Sequence, residues 1–88
     1  MIVRRVTVRN ALGLHARAAA RFVSLASQFT SLIQVTRGHR TVDGKSILGL
    51  LLLAAARGTE ISIAADGVDA IAAAEALAGL VERGFEES

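Results

Sequence analysis

A histidine and two arginines lie close together where the sequence changes from a strand-like to a helix-like pattern. A free imidazole titrates near pH 6.5, so His15 can offer a neutral nucleophilic nitrogen at neutral pH. Arg17 and Arg21 follow at a spacing that places them on the same face of a helix. Guanidinium groups pair with phosphate oxygens through two parallel hydrogen bonds. These residue types could together accept and hold a phosphoryl group.

The position of His15 relative to the following helix adds to this chemistry. A helix that begins at Ala16 leaves its first backbone N–H groups without partners, and its dipole favours an anion at that end. Gly13 lets the backbone approach closely or adopt a positive φ. No metal-ligand cluster, carboxylate pair or general base accompanies the histidine, which predicts a group carrier and not an enzyme. From the residues alone, a plain capping histidine beside a solvated arginine remains the commoner alternative.

The elements that position these residues follow from hydrophobic periodicity. Val6 and Val8 alternate with polar residues as in a half-buried strand, whereas Ala19, Phe22 and Ala26 recur at helical spacing. The same criteria predict strands over 2–9, 31–37, 40–42 and 60–65, and helices over 16–27, 46–53 and 68–83. The order β-α-β-β-α-β-α predicts an α+β fold, a two-layer sandwich with helices on one face of the sheet.

Composition indicates one small globular domain over residues 1–88. The hydrophobic fraction is 52% but aromatic residues make up only 3%, so aliphatic side chains and alanine must build the core. Cysteine is absent, which excludes disulfides and thiolate metal sites. The N-terminal residues do not resemble a signal peptide, and the longest apolar run, 47–56, is too short to span a membrane. We therefore expect a cytoplasmic protein without membrane insertion and without a cofactor.

Charge is distributed unevenly along the chain. Residues 1–45 contain eight basic residues and one acidic residue, whereas residues 46–88 contain two basic and seven acidic ones. This asymmetry favours an anionic partner. Nucleic acid is one alternative, but the scarcity of aromatic side chains and the acidic second half argue against it.

The segment 10–19, NALGLHARAA, closely resembles the active-site stretch of HPr, the phosphocarrier of the bacterial phosphoenolpyruvate-dependent phosphotransferase system. The resemblance extends over essentially the whole chain. It implies that Enzyme I phosphorylates His15 at Nδ1, that Arg17 balances the phosphate charge, and that an EIIA-type domain receives the phosphoryl group. It also implies a monomer with a four-stranded antiparallel sheet in the order 1-4-2-3 and three helices on one face.

The sequence departs from the family pattern at one position. Proline usually follows the arginine in this family, whereas this chain has Ala18 and contains no proline. Proline presets φ at the start of a helix, but alanine is a good helix former. We expect the helix to form, with a start that frays more or shifts by one residue.

A second segment, 43–50 (DGKSILGL), resembles the regulatory-serine segment of many HPr proteins. The resemblance implies that an HPr kinase/phosphorylase modifies Ser46. An added phosphate would place about two negative charges beside the partner-binding surface and oppose an acidic partner. The alternative is that Ser46 only caps the following helix, and the sequence leaves both open.

The apolar run 47–53 is too hydrophobic for a short helix with one buried face. We expect Leu50, Leu53 and also Leu52 to face the core, which leaves three residues partly exposed: Ile47, Leu48 and Leu51. Exposed apolar patches on small proteins usually form interfaces. The resemblance implies that this patch, with Arg21 at its basic rim, binds Enzyme I and the EIIA domains. Core packing of Leu48 and Leu51 is the alternative.

Two functions fit the resemblance. The first is a phosphocarrier that feeds sugar uptake. The second is a regulatory relative that signals through its phosphorylation state, because the ending 81–88 (VERGFEES) looks somewhat like that of the nitrogen-related HPr branch. Both functions use the same His15 chemistry, so the sequence does not separate them. His39, in a predicted hairpin turn, is expected to be inert.

Overall fold

Four strands and three helices follow one another along the chain in the predicted order, β-α-β-β-α-β-α. The computed structural model describes residues 1–87, and a 3-10 turn follows the last helix. The strands are β1 (Ile2–Thr7), β2 (Leu32–Arg37), β3 (Arg40–Asp43) and β4 (Glu60–Asp66). The helices are α1 (Ala16–Ala26), α2 (Ile47–Leu52) and α3 (Ala70–Glu82), and the 3-10 turn is Gly84–Glu86.

All pairings in the sheet are antiparallel, and the strand order is β1-β4-β2-β3. Ile2 lies opposite Ala65 at one end of the β1–β4 pair, and Val35 lies opposite Ile63 in the β2–β4 pair. The hairpin β2–β3 closes through the predicted turn at Gly38 and His39. The α+β sandwich with strand order 1-4-2-3 is therefore confirmed.

Alternation along the strands separates a buried face of the sheet from an exposed one. In β4, Ile61, Ile63 and Ala65 are buried, whereas Glu60 and Asp66 are exposed. The α3 helix packs on β1 and β4, and α1 contacts both α2 and α3. The core between these layers is built mainly from aliphatic side chains and alanine, as composition predicted.

The start of α3 differs from the prediction. The helix begins at Ala70 and not at Val68, because the Asp69 carboxylate accepts hydrogen bonds from the backbone N–H groups of Thr30 and Ser31 and from the Ser31 hydroxyl. These bonds hold Asp69 at the N-cap position and leave the Val68 side chain exposed.

One core assignment in α3 was wrong. Ile71 was predicted on the buried stripe but is 65% exposed. It lies in the first turn of α3, at the open rim formed with Met1, Asp66 and Val68. The later residues of the predicted stripe, Ala74, Ala78 and Val81, are buried as expected.

Within residues 1–87, no helix is long and apolar enough to cross a membrane.

Candidate functional site

His15 is the N-cap residue of α1. Its backbone is extended, with φ −85° and ψ −178°, and its Nδ1 atom lies 3.3 Å from the backbone nitrogen of Arg17. That N–H is one of the helix donors without an intrahelical partner. The side chain is therefore outside the buried stripe of α1 and at the anion-binding end of the helix, as the sequence predicted.

The backbone before His15 is held against the segment that follows α2. Gly13 has a φ of +68°, and a Cβ atom there would lie 2.7 Å from the carbonyl oxygen of Ala55. The Leu14 N–H donates to that same carbonyl oxygen, at 2.9 Å. Only glycine satisfies both the positive φ and the close approach, so Gly13 fixes where the histidine lies.

The other ring nitrogen of His15 contacts a residue from the far end of the chain. Its Nε2 atom lies 2.5 Å from Oε2 of Glu87. The second carboxylate oxygen of Glu87 accepts a hydrogen bond from Nδ2 of Asn10, at 2.8 Å. Asn10 Nδ2 also donates to the carbonyl of Gly13, at 2.7 Å. One amide group therefore connects the backbone before His15 to the carboxylate that binds its ring.

The segment after α3 is folded back so that Glu87 can reach His15. Gly84 ends α3 with a φ of +65°, and Phe85 is fully buried in spite of a φ of +57°. The guanidinium of Arg21 donates to the Phe85 carbonyl oxygen at 2.7 Å. Arg21, predicted for partner binding, thus also anchors this segment to α1.

Hydrogen bonds and nearby charge stabilise the ionised form of Glu87. The Asn10 amide, followed by the hydrogen bond and charge of His15 and the charge of Arg21, lowers the pKa of the Glu87 carboxyl, and partial desolvation opposes them. Glu87 is therefore a carboxylate at neutral pH, which can accept hydrogen bonds but cannot donate them.

Arginines line an open cleft of about 670 Å³ beside this cluster. Arg17, predicted as the phosphate counter-charge, is exposed there, and Arg21 is its half-buried neighbour. Arg9 and Arg57 add two further guanidinium groups that the sequence did not single out. These four arginines outnumber the two glutamates that also line the cleft, and the excess of positive charge suits a phosphorylated ligand or an acidic protein surface.

The alanine at the position where the resemblance implies proline does not displace the helix. The α1 helix begins at Ala16, and Ala18 is fully buried within its first turn. The expectation that the helix forms is confirmed, and the expected shift of its start does not occur.

Ser46 is the N-cap residue of α2, where its hydroxyl oxygen accepts a hydrogen bond from the Gly49 N–H at 3.0 Å. The side chain is half-buried. At the other end of α2, the guanidinium groups of Arg37 and Arg40 donate to the carbonyl oxygens of Leu53 and Leu52. Both ends of this short helix are therefore satisfied by side chains.

The apolar residues of α2 divide as predicted, with one exception. Leu50 and Leu53 are buried, and three side chains are exposed, namely Ile47, Leu48 and Leu51. Leu52 was predicted to face the core but is 55% exposed. It lies two positions after Leu50, about 200° around the helix, and so projects from the opposite side.

Two members of the site were not predicted. Asn10 was quoted only within the segment 10–19 that resembles the HPr active-site stretch, and Glu87 only within the ending 81–88, and neither was given a role. No local pattern marks a carboxylate that binds a histidine 72 residues away. In the described part of the chain, 1–87, no group of three metal-ligating side chains is present.

The fold and this site define a small α+β domain with a histidine at a helix N-terminus, and comparisons with known proteins assign its family. The family model described as the PTS HPr component phosphorylation site matches residues 2–83. The chain therefore belongs to the HPr family of phosphocarrier components of the phosphotransferase system.

The similarity to individual relatives extends over nearly the whole chain. The chain is 46% identical to the phosphocarrier protein HPr of Neisseria meningitidis, over 99% of this chain and 98% of that protein. It is 42% identical to the phosphocarrier protein NPr of Shewanella violacea, over 97% and 93%. An HPr crystal structure from Thermoanaerobacter tengcongensis superposes with a TM-score of 0.95 at 39% identity, covering 100% of this chain and 99% of that one.

Proposed function

We propose that this protein accepts a phosphoryl group on Nδ1 of His15 from phosphorylated Enzyme I and passes it to an EIIA-type domain. The observation that carries the proposal is the place of Nδ1, 3.3 Å from the Arg17 backbone nitrogen at the start of an 11-residue helix. A phosphoryl group on this atom would meet the unpartnered N–H groups of α1.

The transfer exchanges one bond to phosphorus for another. The Nδ1 lone pair forms a bond to phosphorus while the bond between phosphorus and the phosphorylated residue of Enzyme I breaks, and its electron pair returns to that residue. The exposed Arg17 guanidinium supports the phosphoryl oxygens in the product. The protein then serves as the donor in the same exchange with the EIIA-type domain.

The exposed residues of α2 provide the docking surface in this proposal. Ile47, Leu48 and Leu51 are 43%, 68% and 37% exposed, so they present apolar area to a partner. The α2 helix packs against α1, which carries Arg17 and Arg21. An apolar patch beside positive charge fits the acidic and apolar surface of a phosphoryl donor or acceptor. The predicted monomer stays a prediction.

Regulation through Ser46 forms part of the same proposal. Its hydroxyl lies at the start of the helix that carries Ile47 and Leu48. A phosphate there adds about two negative charges next to the docking patch, where they would repel an acidic partner without refolding the domain. The modifying enzyme would be an HPr kinase/phosphorylase.

Incubation with Enzyme I and phosphoenolpyruvate tests the proposed function. We expect one phosphate per chain, labile in acid and stable in base, that is absent from His15→Ala and retained in His39→Ala. His39 is an exposed histidine in the β2–β3 turn and so provides the matched control. Acid-labile phosphate that persists in His15→Ala would refute the assignment.

A second candidate is a regulatory carrier of a nitrogen-related system. It is supported by the 42% identity to the NPr protein of Shewanella violacea. Phosphorylated protein offered to sugar-specific and nitrogen-related EIIA domains distinguishes the two functions, because the physiological acceptor should be phosphorylated faster. The proposal of transfer through His15 is common to both.

A further inference from the structure

We infer that Glu87 is a positioning residue for His15: held by Asn10, its carboxylate binds the Nε2–H group and leaves the Nδ1 lone pair free for phosphoryl transfer. This inference rests on the proposed function and adds to it the residues that select the reactive tautomer. It starts from three contacts among Asn10, His15 and Glu87.

Both oxygens of the Glu87 carboxylate are engaged, each by a different group. Oε2 lies 2.5 Å from His15 Nε2, and Oε1 lies 2.8 Å from Asn10 Nδ2. The side chains of His15 and Glu87 are only 27% and 19% exposed, so water competes weakly for this contact. The carboxylate is therefore held in one orientation against one nitrogen of the ring.

The chemistry of the partners decides which ring nitrogen carries the proton. A carboxylate only accepts hydrogen bonds, so the His15 nitrogen that contacts it must be Nε2–H. At the other nitrogen, the Arg17 backbone N–H points toward Nδ1 as a donor, which requires a lone pair there. Both neighbours thus select the tautomer whose Nδ1 can attack phosphorus.

The orientation of the Asn10 amide is determined in the same way. Its Nδ2 atom contacts the Gly13 carbonyl oxygen and a Glu87 carboxylate oxygen, which are both acceptors, so the NH₂ group must face them. Its Oδ1 atom is buried and has no hydrogen-bond partner among residues 1–87. The amide therefore does not reach its full hydrogen-bonding capacity, and burying its unpaired carbonyl oxygen is unfavourable. Its NH₂ group is instead used to hold Glu87.

The same contact has a role during the transfer. As the Nδ1–P bond forms, positive charge develops on the ring of His15, and the Nε2 proton stays in place. The Glu87 carboxylate faces that proton and stabilises the charge. The carboxylate arrangement is analogous to the acid that orients a histidine in hydrolase triads, although here the histidine is itself the nucleophile.

The tautomer can be measured directly in the unphosphorylated protein. At about pH 8.5, well above the ordinary imidazole pKa, the ¹⁵N chemical shifts of the ring distinguish a protonated from an unprotonated nitrogen. We expect the wild-type chain to show Nε2–H and an unprotonated Nδ1 in His15. The exposed His39 provides an internal reference without such a contact.

Glu87→Gln should weaken this preference. The Asn10 NH₂ group will bind the glutamine carbonyl oxygen, since it can only donate, and so the glutamine NH₂ group will face His15 Nε2 and donate to it. The Nδ1–H tautomer then gains population, although the Arg17 N–H still favours a lone pair on Nδ1. Glu87→Ala removes both the acceptor and the donor that could face Nε2, so it should give a mixture of the two His15 tautomers. Glu82→Gln changes an exposed residue of α3 and should resemble the wild type.

Transfer kinetics provide the second readout. With Enzyme I, Glu87→Gln should lower kcat by at least about tenfold, because a smaller share of His15 presents the Nδ1 lone pair and no carboxylate stabilises the charge on the ring. KM should change by less than about twofold, because the docking surface is intact. Glu87→Ala should fall between Glu87→Gln and the wild type.

The inference is overturned if Glu87→Gln has the same share of Nε2–H as Glu82→Gln, or if its kcat equals that of Glu82→Gln. The buried Phe85 anchors the segment independently of Glu87, so the variants are expected to fold. A wild-type chain that Enzyme I does not phosphorylate would refute the proposed function, whereas the ¹⁵N measurement would still decide the role of Glu87.

Discussion

The Nε2 atom of His15 lies 2.5 Å from the Oε2 atom of Glu87, although 72 residues separate them in the chain. The contact connects the N-cap of α1 to the segment after α3. Asn10 binds the Glu87 carboxylate, and Arg21 binds the backbone carbonyl of Phe85 in that segment. The site is thus a cluster assembled from both ends of the chain. Its arrangement explains how a histidine at a helix terminus can present one defined ring nitrogen.

Phosphorylation at Ser46 should act through charge and not through unfolding. We expect Ser46→Asp to reduce the rate of phosphoryl transfer from Enzyme I several-fold, because the carboxylate adds negative charge beside the docking patch. Aspartate is also a good N-cap residue, so thermal stability should change by less than about 1 kcal/mol. Steady-state transfer kinetics and thermal unfolding measure the two effects.

Ser46→Asn is the matched control for charge. Asparagine caps a helix about as well as aspartate but is neutral, so this variant should transfer at nearly the wild-type rate. Equal rates in Ser46→Asp and Ser46→Asn would contradict the electrostatic account.

The exposed patch on α2 can be tested with two apolar residues of similar exposure on different helices. Leu48 of α2 is 68% exposed, and Ile71, in the first turn of α3, is 65% exposed. Leu48→Glu should weaken Enzyme I binding by about tenfold or more, since loss of one interface anchor costs over 1 kcal/mol. Calorimetric titration measures the affinity.

Ile71→Glu adds the same charge outside the α2 patch and should leave the affinity nearly unchanged. Exposed substitutions usually alter stability by no more than about 0.5 kcal/mol, so both variants should unfold near the wild-type temperature. A large loss of stability in Leu48→Glu would instead place Leu48 in the core.

The contact between Asp69 and the start of β2 should make stability depend on pH. The hydrogen bond from the Ser31 hydroxyl, followed by those from the backbone N–H groups of Thr30 and Ser31, lowers the Asp69 pKa from 3.8 to about 2. A carboxyl whose pKa is lower in the folded state stabilises the fold above its unfolded pKa. That stabilisation is lost as the pH falls from about 4 to about 2.

Asp69→Ala should therefore lower the melting temperature at pH 7, and the difference from the wild type should shrink progressively below about pH 4. Thermal unfolding by circular dichroism over this pH range measures the difference. A difference that is the same at pH 7 and at about pH 2 would show that the carboxylate charge does not contribute.

Much of the fold could be predicted from the sequence because its determinants are local. The alternation of Ile61 and Ile63 with polar neighbours marks β4, and Ser46 before an apolar run marks the start of α2. The placement of His15 at a helix N-cap followed in the same way from the change of period after Leu14. The departures at Leu52 and Ile71 arose near helix ends, where one turn has few neighbours to define its buried side.

The sequence by itself thus determined the elements, the place of His15 at a helix N-cap and the basic residues near it. Only the tertiary structure decided what surrounds the histidine. Glu87 reaches His15 because α3 packs across β1 and β4 and the turn at Phe85 then reverses the chain. Such a contact depends on how many elements pack together, and no short-range sequence pattern predicts it. The choice between the two ring nitrogens of His15 is therefore a property of the folded domain.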